Sequence, residues 1–236
     1  MLFFAPIITN NYVVLSEEES RHCTKVLRLQ IADTIEIIDG IGNFYIGKIS
    51  LAHDKRCEVQ IIETRKNYTL RPYKFHLLIA PTKNNERIEW LLEKACEIGI
   101  DEITFVTTQR SERSNIKTER LHKIMVSAIK QSQKALLPTL NEPIKLKDAL
   151  AKLNSSNYTK LIAHCIDDGK RTSLLKSIIP NNSYAILIGP EGDFTSDEVQ
   201  LAIDAGFKPL SLGNYRLRTE TAALQVCSIF NAVNEY

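Results

Sequence analysis

No stretch of this 236-residue chain approaches the roughly 18 consecutive apolar residues that a membrane span needs. The opening segment MLFFAPIITNNY has no basic region ahead of a long apolar core, so no signal peptide is expected and a cytoplasmic protein is. Cysteine is sparse: Cys23, Cys57, Cys96, Cys165 and Cys227 are scattered, without C-x-x-C or His-rich spacing. That excludes a recognisable zinc site or disulfide framework and fits free thiols in a reducing compartment; no metal is expected. A charge excess is also missing, with 30 Lys and Arg against 28 Asp and Glu, so whole-chain charge marks no nucleic-acid partner. Nothing matches G-x-x-x-x-G-K-[ST]; DDGKRTS has a Gly-Lys but neither the second glycine nor the adjacent hydroxyl. The turn APTKNNER, after the first strand of the α/β half, contains no glycine, which removes an ordinary dinucleotide-type site.

What is there is an ordinary globular composition, 44% hydrophobic and 25% charged, enough to bury a core without staples. The chain changes character near Pro72. Residues 1–70 are mostly strand: DTIEIIDGIGNFYIGKISL holds two β-rich runs around an Asp-Gly-Ile-Gly-Asn turn, and CEVQIIETR supplies a third. SEEESRHCTKVLRL reads as a short helix with Ser16 as N-cap and Glu19 completing a capping box. A small barrel with one helix is the natural assembly.

Over 72–236 apolar strands alternate with amphipathic helices. The strands are KFHLLIAP, EITFVTT, KLIAHC, YAILIG and KPLSLG; the helices are ERIEWLLEKACEIG, SLLKSII, SDEVQLAIDAG and TAALQVCSIFNAVNEY. Such alternation predicts a mostly parallel sheet with helices on both faces. A further helix is expected over 118–136, with Leu121, Ile124, Met125, Ala128, Ile129 and Leu136 on an apolar stripe. Arg120, Lys123, Lys130 and Lys134 share another side, which fits either a solvated face or a stripe facing phosphates.

Glycine is concentrated late, in LIGPEGDFTSDE and LGNYRLRTETAAL, each following a strand. Both turns should lie on the carboxyl edge of one sheet, where open α/β sheets bind ligands. No Lys or Arg lies inside IGPEGDF, which carries Glu191 and Asp193, so a phosphate fits poorly and a heteroaromatic ring or a cation fits better. One such turn is well explained as a capped helix start, with Thr195 and Glu198 forming a capping box; a pair is explained less well.

These two motifs, with RIEWLLEKACEIGI, SERS and KQSQK upstream and RHCTKVLRL near the start, resemble the RsmE family over essentially the whole chain. Those are SPOUT-class methyltransferases acting on N3 of a uridine in 16S ribosomal RNA. The resemblance implies a PUA-like β-barrel RNA-binding domain over 1–70, then an α/β SPOUT domain over 72–236 with a trefoil knot, and a homodimer. It implies S-adenosylmethionine bound by His164, Leu187, Gly189, Pro190, Glu191, Gly192, Leu212, Gly213, Leu217, Arg218, Thr219 and Ala222, with HCIDDG as a third loop. It implies RNA gripped by Arg21, Lys25, Arg28, Arg110, Arg120, Lys123, Lys130 and Lys134. The chain departs from the family at Asp193, commonly glycine, and at Tyr215-Arg216, more usually Arg-Ile.

Methylating uracil N3 needs a proton removed or the resulting anion stabilised, along with in-line placement. Arg110, Arg113 and Arg218 are candidate donors to the uracil oxygens, and Glu220 is a candidate base if burial raises its pKa. Each has a plainer alternative: Glu220 complementing a helix dipole, Arg218 in a structural ion pair, Arg113 as surface charge, His164 ending its strand. Two other functions fit the sequence: a SPOUT enzyme acting at another RNA position, and a non-catalytic ribosome-assembly factor.

Overall fold

The structure is a computed structural model and describes residues 1–68, 70–111, 116–166, 169 and 171–235. It divides into two compact units, Met1–Arg71 with Val126–Leu137, and Pro72–Met125 with Pro138–Tyr236.

In the first unit, β1 (Leu2–Phe4), β2 (Tyr12–Val14), β3 (Thr34–Ile38), β4 (Phe44–Leu51) and β5 (Glu58–Arg65) form one sheet in the order β1-β3-β4-β5-β2. All its pairs are antiparallel except β1 with β3. The β3–β4 connection turns on Asp39, whose carboxylate accepts from the backbone N–H of Ile41 and Asn43 at 2.9 and 3.0 Å. It also accepts from the Asn43 amide and the Tyr45 hydroxyl, so the Asp-Gly-Ile-Gly-Asn turn is held by its first residue. The core gathers Phe3, Val13, Leu15, Ile35, Ile37, Ile49 and Val59 around Cys23 and Cys57, whose sulfurs lie 3.9 Å apart. Burial pushes the Cys23 thiol up to about 12, which keeps it protonated and unreactive.

Helix α1 (Glu17–Arg21) runs on into a π-helical turn, His22–Val26. Ser16 caps it, accepting from the Glu19 N–H at 3.2 Å, but the reciprocal half of the expected capping box is not formed. The Glu19 carboxylate is instead buried, 2.5 Å from Lys130 Nζ and accepting from the Phe4 N–H at 3.4 Å. Lys130 Nζ also lies 5.8 Å from the centre of the Phe3 ring.

The second unit is built on seven strands: β6 (Phe75–Ile79), β7 (Glu102–Thr107), β8 (Thr139–Lys145), β9 (Thr159–Ala163), β10 (Thr172–Ser173), β11 (Tyr184–Ile188) and β12 (Lys208–Ser211). Their order is β10-β12-β9-β11-β6-β7-β8, and every pairing is parallel. Every strand therefore ends on the same edge. The central β6 and β11 are buried throughout, as a parallel sheet covered on both faces requires.

The helices are α2 (Asn85–Ile98), α3 (Thr118–Gln131), α4 (Leu146–Leu153), α5 (Leu174–Ser177), α6 (Ser196–Asp204) and α7 (Thr219–Glu235). None is long and apolar enough to cross a membrane among the described residues. Helix α7 packs on α2, β6 and β11, burying Ala222, Val226 and Phe230. The Phe230 ring stacks on Phe75 at 4.9 Å and meets Tyr73 and Tyr184 edge-on.

Helix α3 is shorter than its periodicity suggests. Gln133 takes φ +57° and the Lys134 N–H returns to the Ile129 carbonyl, so Lys134 and Leu136 lie beyond the helix and off its stripes.

Candidate functional site

Because every strand of the larger sheet points the same way, the loops leaving β9, β11 and β12 emerge together. With the start of α7 they wall a cleft of about 950 Å³, at the upper end of the range for small-molecule sites. Both late glycine turns line it, as do His164, Cys165 and Ile166 of the third loop.

The two glycines nearest the strands are required for different reasons. A Cβ on Gly189 would stand 2.9 Å from the buried Phe194 ring, so only glycine lets the turn close on that ring. Gly213 has φ +126°, a conformation that L side chains rarely adopt, and nothing lies within 4 Å of where its Cβ would be. The first glycine serves packing; the second leaves the cleft open.

The acids of the glycine turn, out of place for a phosphate site, are anchors for neighbouring loops. Glu191 Oε1 accepts from the Lys83 N–H at 3.2 Å, tying down the loop after β6. Glu198 Oε1 accepts from the Gln109 N–H at 2.7 Å, holding the loop after β7. Its other oxygen closes the capping box with Thr195 that starts α6. Asp193 Oδ2 accepts from the Cys165 N–H at 2.8 Å, joining the third loop to the turn. Thr219 Oγ1 donates to the Gly189 carbonyl at 3.1 Å and Gln225 donates to the Leu212 carbonyl at 3.1 Å, so α7 fixes both glycine loops. Apart from the Thr195–Glu198 capping box, nothing in the sequence signals these links, since the others join residues 13 to 108 positions apart.

Of the residues expected to hold a cofactor, His164, Gly189, Pro190, Glu191, Gly192, Leu212, Gly213, Leu217, Thr219 and Ala222 line the cleft. Leu187 and Arg218 do not: the Leu187 side chain lies in the core with Leu78, Val106 and Phe194, and Arg218 is exposed on the approach to α7. The cleft adds Arg171, whose guanidinium donates to the His164 carbonyl at 3.2 Å, and Tyr215 and Arg216 from the last loop.

The catalytic candidates are less closely grouped. Arg113 lies outside the described residues. Glu220 is buried but does not line the cleft; its Oε1 is 3.6 Å from Arg87 Nε, and Oε2 is buried without a hydrogen-bond partner among the described residues. That contact sets its carboxylate beside Arg87 of α2. Arg110 does line the cleft, its Nη1 donating to the Gly192 carbonyl at 2.7 Å.

The basic stripe also changes. Arg120 is held by Glu89, with Nε at 2.5 Å and Nη2 at 2.9 Å from its two oxygens, and Lys130 is turned inward to Glu19. Lys123 alone of the four is exposed on α3 with no carboxylate within ion-pair reach among the described residues. In the first unit Arg21, Lys25 and Arg28 are all exposed.

Two family models match the chain: one described as an RNA methyltransferase domain over residues 69–231, the other as an RNA methyltransferase PUA domain over residues 15–62. A protein of Buchnera aphidicola named ribosomal RNA small subunit methyltransferase E is 31% identical over 222 residues, 91% of this chain and 85% of that protein. The crystal structure of a probable rRNA-methyltransferase from Porphyromonas gingivalis superposes with a TM-score of 0.89 at 39% identity, covering 99% of this chain and 98% of that one. A ribosomal RNA small subunit methyltransferase E from Neisseria gonorrhoeae, solved with S-adenosyl methionine bound, superposes with a TM-score of 0.86 at 28% identity, covering 99% and 97%. The fold is thus a PUA-like unit and a SPOUT-type α/β unit.

Proposed function

The chain belongs to the ribosomal RNA small subunit methyltransferase E family, and from that premise we propose that it methylates N3 of a uridine in 16S ribosomal RNA. S-adenosylmethionine is the donor in this reading. The observation that carries it is the cleft at the carboxyl edge of an all-parallel sheet, walled by two glycine turns and open above Gly213. Backbone groups of Gly189–Gly192 and Leu212–Gly213 would hold the donor, with Leu217 and Ala222 as apolar wall. Bound there, it would supply a sulfonium-activated methyl group.

The chain's own part is to place uracil N3 and to stabilise the negative charge left when its proton departs. Arg110 is the described side chain best placed to donate, already ordered at the cleft by Gly192; Arg113 and Arg218 remain candidate donors. RNA would be gripped through phosphates, which position a substrate without reading sequence. Lys123 serves this on α3, and Arg21, Lys25 and Arg28 on the N-terminal unit, which we take as RNA-binding. The exposed pairs of Arg21 with Glu17 at 3.5 Å and Lys25 with Asp54 at 3.8 Å are weak enough to yield to phosphate. A homodimer in the cytoplasm completes the reading.

Reverse transcription across 16S rRNA from cells lacking the protein tests it, since N3-methylation blocks the Watson–Crick edge. Loss of one strong stop at a uridine, restored by the gene, is expected. A lost stop at another base points to a different RNA position, and an unchanged pattern points to a non-catalytic assembly factor.

A further inference from the structure

Asp193 occupies a backbone conformation, φ +61°, that glycine enters freely and other residues enter at a cost. Its N–H donates to the Pro190 carbonyl at 2.9 Å and closes the turn, a bond that glycine would make equally well. The side chain is therefore what distinguishes this residue from a glycine, and it has one described hydrogen-bond partner: the Cys165 N–H, 28 positions earlier in sequence, at 2.8 Å from Oδ2. Both ends of that bond line the cleft. Hydrogen bonds to a carboxylate acceptor are the stronger kind. On its far side the same loop is held by Arg171 at the His164 carbonyl.

We infer that Asp193 is a positioning residue, whose carboxylate fixes the 164–166 loop to the glycine turn before ligand arrives and so sets the affinity for S-adenosylmethionine. This deepens the methyltransferase reading and rests on it. Without the bond, part of the ligand's binding free energy goes into ordering the loop, and the measured affinity falls.

Two variants separate the carboxylate from the backbone. Asp193→Gly keeps the left-handed turn and removes the tether, whereas Asp193→Asn tolerates the same φ and keeps an acceptor oxygen. Calorimetry should find S-adenosylmethionine bound about tenfold more weakly by Asp193→Gly, and within about threefold of wild type by Asp193→Asn. Hydrogen exchange without ligand should be faster at the Cys165 amide in Asp193→Gly, with no lowering of the melting temperature, since glycine relieves the turn. Wild-type affinity in Asp193→Gly overturns the inference, as does an unchanged Cys165 amide or an Asp193→Asn variant as weak as the glycine one. A wild-type protein that binds no S-adenosylmethionine overturns the methyltransferase reading itself, and this inference with it.

Discussion

Gly189 and Gly213 look alike in the sequence, each following an apolar strand, yet substitutions at them should fail in different ways. Alanine at Gly189 drives a methyl group against the Phe194 ring, 2.9 Å away in a site with no slack. Overpacking of this kind costs about 1–3 kcal/mol, so Gly189→Ala should lower the melting temperature by several degrees. Valine at Gly213 meets no protein atom near its Cβ but stands in the open cleft on a strained backbone. Gly213→Val should therefore abolish S-adenosylmethionine binding in calorimetry, with no dependence on EDTA in the wild type, and its strained backbone should lower the melting temperature as well. Unchanged affinity in Gly213→Val would mean that the ligand does not sit over Gly213. The need for glycine was legible at both positions. Its two reasons were not, because one depends on a ring five residues on and the other on empty space.

Helix α3 illustrates how far periodicity carries and where it stops. Plotting the sequence brings Arg120, Lys123 and Lys130 to one side, but a helical wheel cannot report that Glu89 and Glu19 are waiting for two of them. The variants Lys123→Ala and Lys130→Ala should accordingly diverge. The first should change stability by less than about 0.5 kcal/mol while reducing the salt slope of RNA binding by about 0.7–0.9. The second leaves the Glu19 carboxylate, whose Oε2 has no hydrogen-bond partner among the described residues, buried without its cation, and should destabilise by about 1–3 kcal/mol in urea titration. A Lys130→Ala protein as stable as wild type would return that residue to the solvent face.

Other elements divide along the same line. Apolar runs announced β6, β7, β9 and β11, and helical spacing of apolar residues announced α2. The three-residue β1 and β2 are too short to carry a period, and β8 contains Pro143, a residue that argues against a strand. That proline is accommodated because the β7–β8 register shifts between Thr104 and Val106, leaving Pro143 out of the ladder.

Across the whole molecule, the larger sheet has a binding edge and an edge that carries a partly buried polar network. At the start of β6, the His76 Nε2 lies 2.8 Å from Thr104 Oγ1, and Nδ1 is 3.6 Å from Glu102 Oε2. Glu102 also accepts from Asn141 at 2.7 Å and Tyr158 at 3.4 Å. Burial holds the His76 pKa below its ordinary value, with Glu102 opposing the shift. A histidine depressed in the folded state takes up its proton more readily when unfolded, so its contribution to stability is present above about pH 6.5 and is lost as pH falls below that. The urea midpoint should be lower at pH 5.5 than at pH 7.5, and His76→Leu should narrow the gap. An equal gap in the variant would assign the pH dependence elsewhere.

The first compact unit is assembled from two separated pieces of chain, Met1–Arg71 and Val126–Leu137. The later piece supplies Lys130 to Glu19, the Ala135 carbonyl to the Gly42 N–H, and a Leu137 N–H to the Gly40 carbonyl. A polypeptide emerging from its N-terminus must therefore hold the strands of that unit unfinished while 54 further residues, from Pro72 to Met125, are made. At roughly 5–20 residues per second, the wait is on the order of several seconds. During that interval Glu19 lacks the Lys130 cation, and Gly40 and Gly42 lack their backbone partners at Leu137 and Ala135, so the first unit of a newly made chain stays open to chaperones until the later piece arrives.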